Sequence, residues 1–255
     1  MRHYWLLQNL ITREVRARYL GSATGLLWAL LQPLALLGIY AFVFSTIFKL
    51  RFPELGDHRF IAFVAVVLWP WQMFAEGLQR GMSAIHANAA LVKKTAFARE
   101  ILVYANLGAA WIVHLAGYAV VLVSLMLFGE TITWGGLPLA FLVMVTLASI
   151  TLALALVLAA LQVFVRDVEH VLGPALMILF YATPILYPLS MVPGELQKWF
   201  GLNPLAALVG RLRDALLFAA TPQWGDLWYL AGAAAASVAA LLFFRRLEPH
   251  FEDFL

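Results

Sequence analysis

The sequence predicts an all-α membrane protein, with six transmembrane helices, an N-terminal interfacial amphipathic helix and short helices on the extracytoplasmic side. Three observations carry this reading. Hydrophobic residues make up 64% of the chain and charged residues only 12%, where a soluble domain sits near ~45–50% and ~25%. Lipid must therefore solvate much of the surface. Six stretches approach or exceed the roughly 20 apolar residues that cross a bilayer: 25–48, 60–78, 101–128, 137–164, 171–191 and 227–244. Finally, 11 of the 17 Lys and Arg fall in the segments that share a side with the N-terminus. Basic residues gather on the cytoplasmic side, so both termini are expected there, and residues 1–255 form a single domain.

The first 20 residues precede the spans. Over 4–20, Leu7, Leu10, Ile11, Val15 and Tyr19 recur on one side at helical spacing, while Arg13 and Arg16 fall opposite. Glu14 and Arg18 interrupt the apolar side but stand four apart in the favourable order. Basic residues on such a helix suit anionic head groups. A packed interfacial helix and a simple positive juxtamembrane segment are both open. No charge occurs from Tyr19 to Phe48. That run is too long for a signal-peptide core, so the N-terminus is expected to be retained.

Each span is read as a helix because backbone groups in lipid must bond internally. The second is the weakest. It has 16 uncharged residues over 60–75, contains Pro70, and gains a turn only through Glu76–Leu78. No Asp, Glu, Lys or Arg lies within the uncharged cores of the six spans. Ion-coupled transporters carry such residues, and no pair of broken half-repeats is evident, so transport here has to be powered from outside. Six helices without a repeat make half a translocation path more readily than a whole one, and a homodimer follows. His114 reads either as a packed, hydrogen-bonded histidine or as a functional one.

Two linkers are long. The segment 79–100 lies on the cytoplasmic side and mixes charged and apolar residues: Asn88, Leu91, Lys94, Phe97, Arg99 and Glu100. Such a segment either docks in a partner's groove or simply connects two spans. On the other side, 195–220 contains Asn203 and Pro204, a helix start by N-cap and first-position proline. An apolar run follows, broken by Arg211, Arg213 and Asp214. It is too short to cross, so it is a surface or re-entrant helix, either a gate or an ordinary loop helix. Adjacent residues on a helix point about 100° apart, so Arg213 and Asp214 are not expected to pair with each other. Arg213 is expected to reach another element, to snorkel to head groups, or to grip phosphate bidentately.

The spans are rich in aromatics. Trp28, Tyr40, Phe44, Trp71, Phe180, Tyr181 and Tyr187 either form an interfacial belt or line a channel as a stacking surface for sugar rings. The absent motifs also decide something. There is no G-x-x-x-x-G-K-[ST], so the chain has no P-loop for ATP. H-E-x-x-H, G-x-S-x-G and D-x-D are missing, the six His show no metal-ligand spacing, and the lack of Cys rules out disulfides and thiolate sites. The net charge of +3 reports orientation rather than a nucleic-acid partner.

The run Arg13-Glu14-Val15-Arg16-Ala17-Arg18-Tyr19-Leu20-Gly21-Ser22, with Gly25-Leu26-Leu27-Trp28 and Gln32-Pro33-Leu34, resembles the opening of ABC-2 type permeases that export polysaccharides. Asn88, Leu91, Lys94 and Phe97-Ala98-Arg99-Glu100-Ile101 look like that family's cytoplasmic loop. Arg166-Asp167, Thr183-Pro184-Ile185-Leu186-Tyr187-Pro188, Asn203-Pro204 and Arg213-Asp214 are similar too. The matches cover nearly the whole chain in order. Two departures are Thr24, where the family has Leu before the glycine, and Ala98, where it has Pro.

The resemblance implies a homodimeric permease of the bacterial inner membrane with two copies of a separate P-loop ATPase, which binds ATP and Mg; no cofactor is expected in this chain. It implies export of a polyprenyl-diphosphate-linked polysaccharide: O-antigen, capsule or teichoic acid. It also implies that the loop at Asn88–Glu100 couples to the ATPase, and that residues near 195–220 form the outer gate. An exporter of drugs or lipids, a membrane enzyme acting on polyprenyl-linked sugars and a passive scaffold are the alternatives.

Overall fold

A computed structural model of the protein describes residues 2–19, 31, 34–40, 42–47, 49, 55, 58–95 and 97–255. These are almost entirely helical: α1 (Arg2–Tyr19), α2 (Phe60–Ala87), α3 (Ala89–Lys94), α4 (Glu100–Leu127), α5 (Leu137–Phe164), α6 (Val168–Tyr181), α7 (Gly194–Gly201), α8 (Pro204–Phe218), α9 (Trp224–Leu247) and α10 (Phe251–Phe254). Among the described residues, four helices are long and apolar enough to cross a membrane: α2, α4, α5 with its 3-10 entry from Trp134, and α9 continued to Phe254. Of the expected span 25–48, the described parts are helical at 34–40 and a π-helical turn at Phe42–Ile47. The rest, Trp28 included, lies outside the described residues.

Helix α2 is the centre. Every residue from Ala62 to Trp71 is buried, because α4, α5 and α8 pack around it. Pro70 has no N–H, which removes the helical partner of the Val66 carbonyl. The Tyr118 hydroxyl of α4 replaces it, donating to that carbonyl at 2.6 Å. At Gly81 a Cβ would stand 2.6 Å from the Ala155 Cβ, so glycine is what lets α2 and α5 approach this closely.

The helix of the second span runs past residue 78 to Ala87, 28 residues in all. At 1.5 Å per residue this is about 42 Å, longer than the ~30 Å hydrocarbon layer. The fifth is not one helix over 171–191. Helix α6 stops at Tyr181 after 14 residues, because Pro184 and Pro188 deny their predecessors the helical region, and the chain turns until the 3-10 turn Leu189–Met191.

Helix α1 lies along α4. Leu10 is buried, and the Ile11 side chain sits over Gly108, 3.3 Å from where a Cβ would stand. Tyr4 and Trp5 are exposed. At the opposite end of the bundle, Trp134, Trp199, Trp224 and Trp228 are exposed around α7, α8 and the start of α9. Indole rings are enriched at both membrane interfaces, and these two sets stand where such belts would lie.

Candidate functional site

Three neighbourhoods collect the residues singled out in the sequence. The first is an open cleft of about 250 Å³ between the 34–40 segment, α2 and α6. Its walls carry Tyr40, Trp71, Phe180 and Tyr181, together with Gln72 and Gln79. Trp71 meets Phe180 edge to face at 5.5 Å, Phe180 meets Tyr181 in the same way at 5.3 Å, and Tyr40 stacks on Phe180 at 6.4 Å. Phe44 continues the row, 6.3 Å from Tyr40 and 5.4 Å from Phe60. Four of the seven aromatic candidates thus share one cleft. The ring positions follow from helical spacing: Trp71, Gln72, Ala75 and Gln79 lie on one face of α2. Tyr187 stands elsewhere, its hydroxyl bonded to the Tyr181 carbonyl and its ring against Phe200.

The second neighbourhood is built on α8. Asn203 caps the helix by accepting from the Leu205 N–H at 3.0 Å, while its amide donates to the Ala182 carbonyl at 3.1 Å and to the Thr183 hydroxyl at 3.0 Å. Arg213 is buried at 6% exposure. Its Nε donates to the Phe63 carbonyl at 3.0 Å, Nη1 to Pro184 at 2.7 Å and Nη2 to Ile185 at 2.6 Å. The guanidinium also lies 3.5 Å over the Phe63 ring, a cation–π contact. Arg213 therefore reaches α2 and the turn after α6 within its own chain. In this conformation its guanidinium is taken up by carbonyls rather than turned toward an anion. Three separate sequence motifs, Thr183–Pro188, Asn203–Pro204 and Arg213, converge in one clamp.

Arg211 forks onto Asp226 at the start of α9, at 2.7 and 2.6 Å, the bidentate geometry that suits guanidinium and carboxylate. That bond raises the Arg211 pKa above its ordinary value. Asp214 is half exposed and stands 3.7 Å from Arg211. At the far end of α8, His58 bridges Glu130 at 3.1 Å and the Leu217 carbonyl at 3.0 Å. Thr133 donates to the Ala215 carbonyl at 2.7 Å. Gly136 passes so close that a Cβ there would lie 1.7 Å from the Ala215 oxygen. Helix α8 is thus held along its length.

The third neighbourhood, around α3, lies at the opposite end. Asn88 accepts from Arg13 of α1 at 2.6 Å and donates to Ala84 at 2.9 Å. Arg13 also meets Glu14 at 2.7 Å. Arg16 and Lys94 are exposed, while Leu91 and Phe97 are half-buried against the core. Tyr19 ends α1, and the side chains of Arg18 and Tyr19 lie outside the described residues. Arg99 and Glu100 face inward. The Arg99 N–H and guanidinium bind Glu248 at 3.0 and 2.5 Å and also Glu252. Glu100 accepts from Arg245 at 2.9 and 2.6 Å.

Glu76, in the turn that extends the second span to residue 78, lies 16 residues along α2, about 24 Å from its start. It accepts from Arg80 at 2.6 Å and meets the buried His114 of α4 at 2.6 Å. The sequence reading did not foresee this pair. It also missed Gln72 and Gln79, which line the cleft, and Asp226, Arg245, Glu248 and Glu252, whose partners stand 15 to 153 positions away. An uncompensated Asp or Glu beside an apolar run was the available signal for Glu76 and Asp226.

The family model for ABC-2 type transporters matches residues 6–217 of the chain. The O-antigen export system permease protein RfbA of Myxococcus xanthus is 32% identical over 206 residues, 80% of this chain and 77% of the relative. A Klebsiella pneumoniae protein of the same name is 28% identical over 98% of this chain and 95% of its own length. The polysialic acid transport protein KpsM of Escherichia coli is 24% identical over 88% of this chain and 86% of the relative. With most of its length matched by the family model and apolar helices of spanning length at its core, the chain belongs to the ABC-2 type transporter family.

Proposed function

We propose that the chain is the membrane permease subunit of an ATP-driven exporter that moves a lipid-linked polysaccharide, O-antigen first, across the bacterial inner membrane. The observation that carries the glycan reading is the cleft of Tyr40, Trp71, Phe180 and Tyr181 with Gln72 and Gln79 on its walls. Sugar rings offer C–H faces to aromatic planes, and their hydroxyls need amide or phenol partners. The names of the relatives, O-antigen export and polysialic acid transport, support a polysaccharide as the substrate class. In this reading six helices cross the bilayer. The four long ones are joined by the segment 25–48 and by α6 with the turn that follows it. The cleft opens to one side of α6, where a second copy completes the path as a homodimer. Residues 195–220 close that path on the extracytoplasmic side.

The energy comes from elsewhere. The chain carries no phosphate-cradling loop, so two copies of a P-loop ATPase are its partners, binding ATP and Mg and docking at the loop 79–100. Purified alone, the chain is expected to show no ATP hydrolysis above background. Co-expressed with a P-loop ABC ATPase subunit from the same source, it is expected to bring that protein along and to support glycan export in reconstituted vesicles. Failure of any ATPase to co-purify, with the chain intact in the membrane, would overturn this reading. Both termini face the cytoplasm because 11 of 17 basic residues lie on that side. A cysteine placed after Leu255 is expected to resist an impermeant thiol reagent in whole cells and to react in lysed ones; labelling in whole cells would rule the arrangement out.

A further inference from the structure

We propose that the C-terminal tail, residues 248–255, is the positioning strut that holds the loop 79–100 against the helix bundle and so makes that loop able to move the transmembrane helices. The inference rests on the reading that this loop receives an ATPase. The tail leaves α9 through a 3-10 turn, Glu248–His250, and ends in α10. It is fixed at three places. Arg99, at the entry to α4, binds Glu248 through its N–H and guanidinium, and binds Glu252 through Nη2. Phe251 is fully buried, 5.9 Å from the Phe164 ring and 5.3 Å from the Phe244 ring, both edge to face. Phe254 closes on the other side of Phe164 at 4.8 Å. Phe164 is the last residue of α5. The tail therefore joins the end of the loop to the ends of both α5 and α9.

Beside it, Glu100 is 3% exposed, and one of its oxygens takes both bonds from Arg245 while the other has no hydrogen-bond partner among the described residues. A buried carboxylate left half satisfied is poor for stability, and such pairs are better explained by the geometry they specify. The ion pairs here all cross from the loop–α4 junction to the C-terminal part of the chain. A push on the loop would otherwise be absorbed between α3 and α4, before it reached the bundle. With the tail in place it is delivered to α4, α5 and α9 together. Arg99 is then a positioning residue that grips the tail and Glu100 one that grips the end of α9, rather than contacts offered to the ATPase.

The test uses the full complex reconstituted in vesicles, with export and ATP hydrolysis followed in parallel. Ending the chain after Leu247, or substituting Glu252→Arg so that two cations face each other, is expected to leave the ATPase bound and hydrolysing while glycan moved per ATP falls at least about tenfold, equivalent to ~1.4 kcal/mol of coupling. Combining Glu252→Arg with Arg99→Glu restores the pair with reversed sign and is expected to recover most of the coupling. Normal export by the shortened chain would overturn the proposal. Loss of the bound ATPase from the shortened chain would overturn it too, since the tail would then be part of the seat. Failure of the reversed pair to rescue would remove the role of Arg99 and Glu252. Absence of ATPase from the unaltered complex would count against the exporter reading instead.

Discussion

Arg213→Ala is expected to abolish export and to lower the amount of protein in the membrane. The guanidinium serves three carbonyls, of Phe63, Pro184 and Ile185, at 2.6 to 3.0 Å. The Pro184 and Ile185 carbonyls, in the turn after α6, each lose a buried donor at a cost of about 1–3 kcal/mol, and the cation–π contact with Phe63 adds about 1–2 kcal/mol. These costs are not additive, and a total of roughly 3–5 kcal/mol is a large part of a typical 5–15 kcal/mol stability. Arg213→Lys separates anchoring from clamping. An ammonium keeps the charge but is a point donor without the planar fork, so it serves one or two of the three carbonyls and loses the stacked plane. Lysine is expected to restore membrane levels and partner binding while export stays at least about tenfold down, because the turn after α6 is no longer tied to α8. Export by the lysine variant at the unaltered level would mean that a buried positive charge is all the site needs. Normal export by the alanine variant would remove Arg213 from the gate. Membrane abundance and vesicle export, measured side by side, decide among these.

What the sequence made legible was set by short-range physics. The uncharged runs 101–128 and 137–164 lie close to α4 (Glu100–Leu127) and α5 (Leu137–Phe164), because hydrophobic length alone sets where those helices end. The N-cap at Asn203 follows from one side chain and two backbone groups. Local signals also existed where the reading went astray. Proline at 184 and 188 marks the place where α6 must stop, and that cue was overridden by counting apolar residues. The pairing of Glu76 with His114 was not legible because His114 stands 38 positions away. The partners of Arg213 are 28, 29 and 150 positions away, and those of Arg99 are 149 and 153. No periodicity or spacing encodes such pairings. The aromatic candidates were an intermediate case: their composition was visible, but the packing of α2 against α6 is what brings four of them to one cleft.

Truncating that cleft, with Trp71→Ala and Tyr181→Ala together, is expected to cut export by about one to two orders of magnitude while the complex still assembles and hydrolyses ATP. The estimate takes about 0.5–1.5 kcal/mol for each lost ring contact, doubled for two rings and converted at 1.4 kcal/mol per tenfold. The single variants separate stability from transport. Trp71 is 7% exposed and packs on Phe74 and Phe180, so Trp71→Ala opens a cavity and is expected to lower membrane levels as well. Tyr181 is 59% exposed, so Tyr181→Ala leaves the fold alone and reports on the cleft. Tyr181→Phe then tests which part of the side chain matters. If the ring face carries the sugar, phenylalanine exports nearly as well as tyrosine. If phenylalanine fails as badly as alanine, the hydroxyl is the contact and the stacking account is wrong. Unaltered export by the double variant would place the glycan path away from this cleft and return its aromatics to the role of packing and membrane-interface residues.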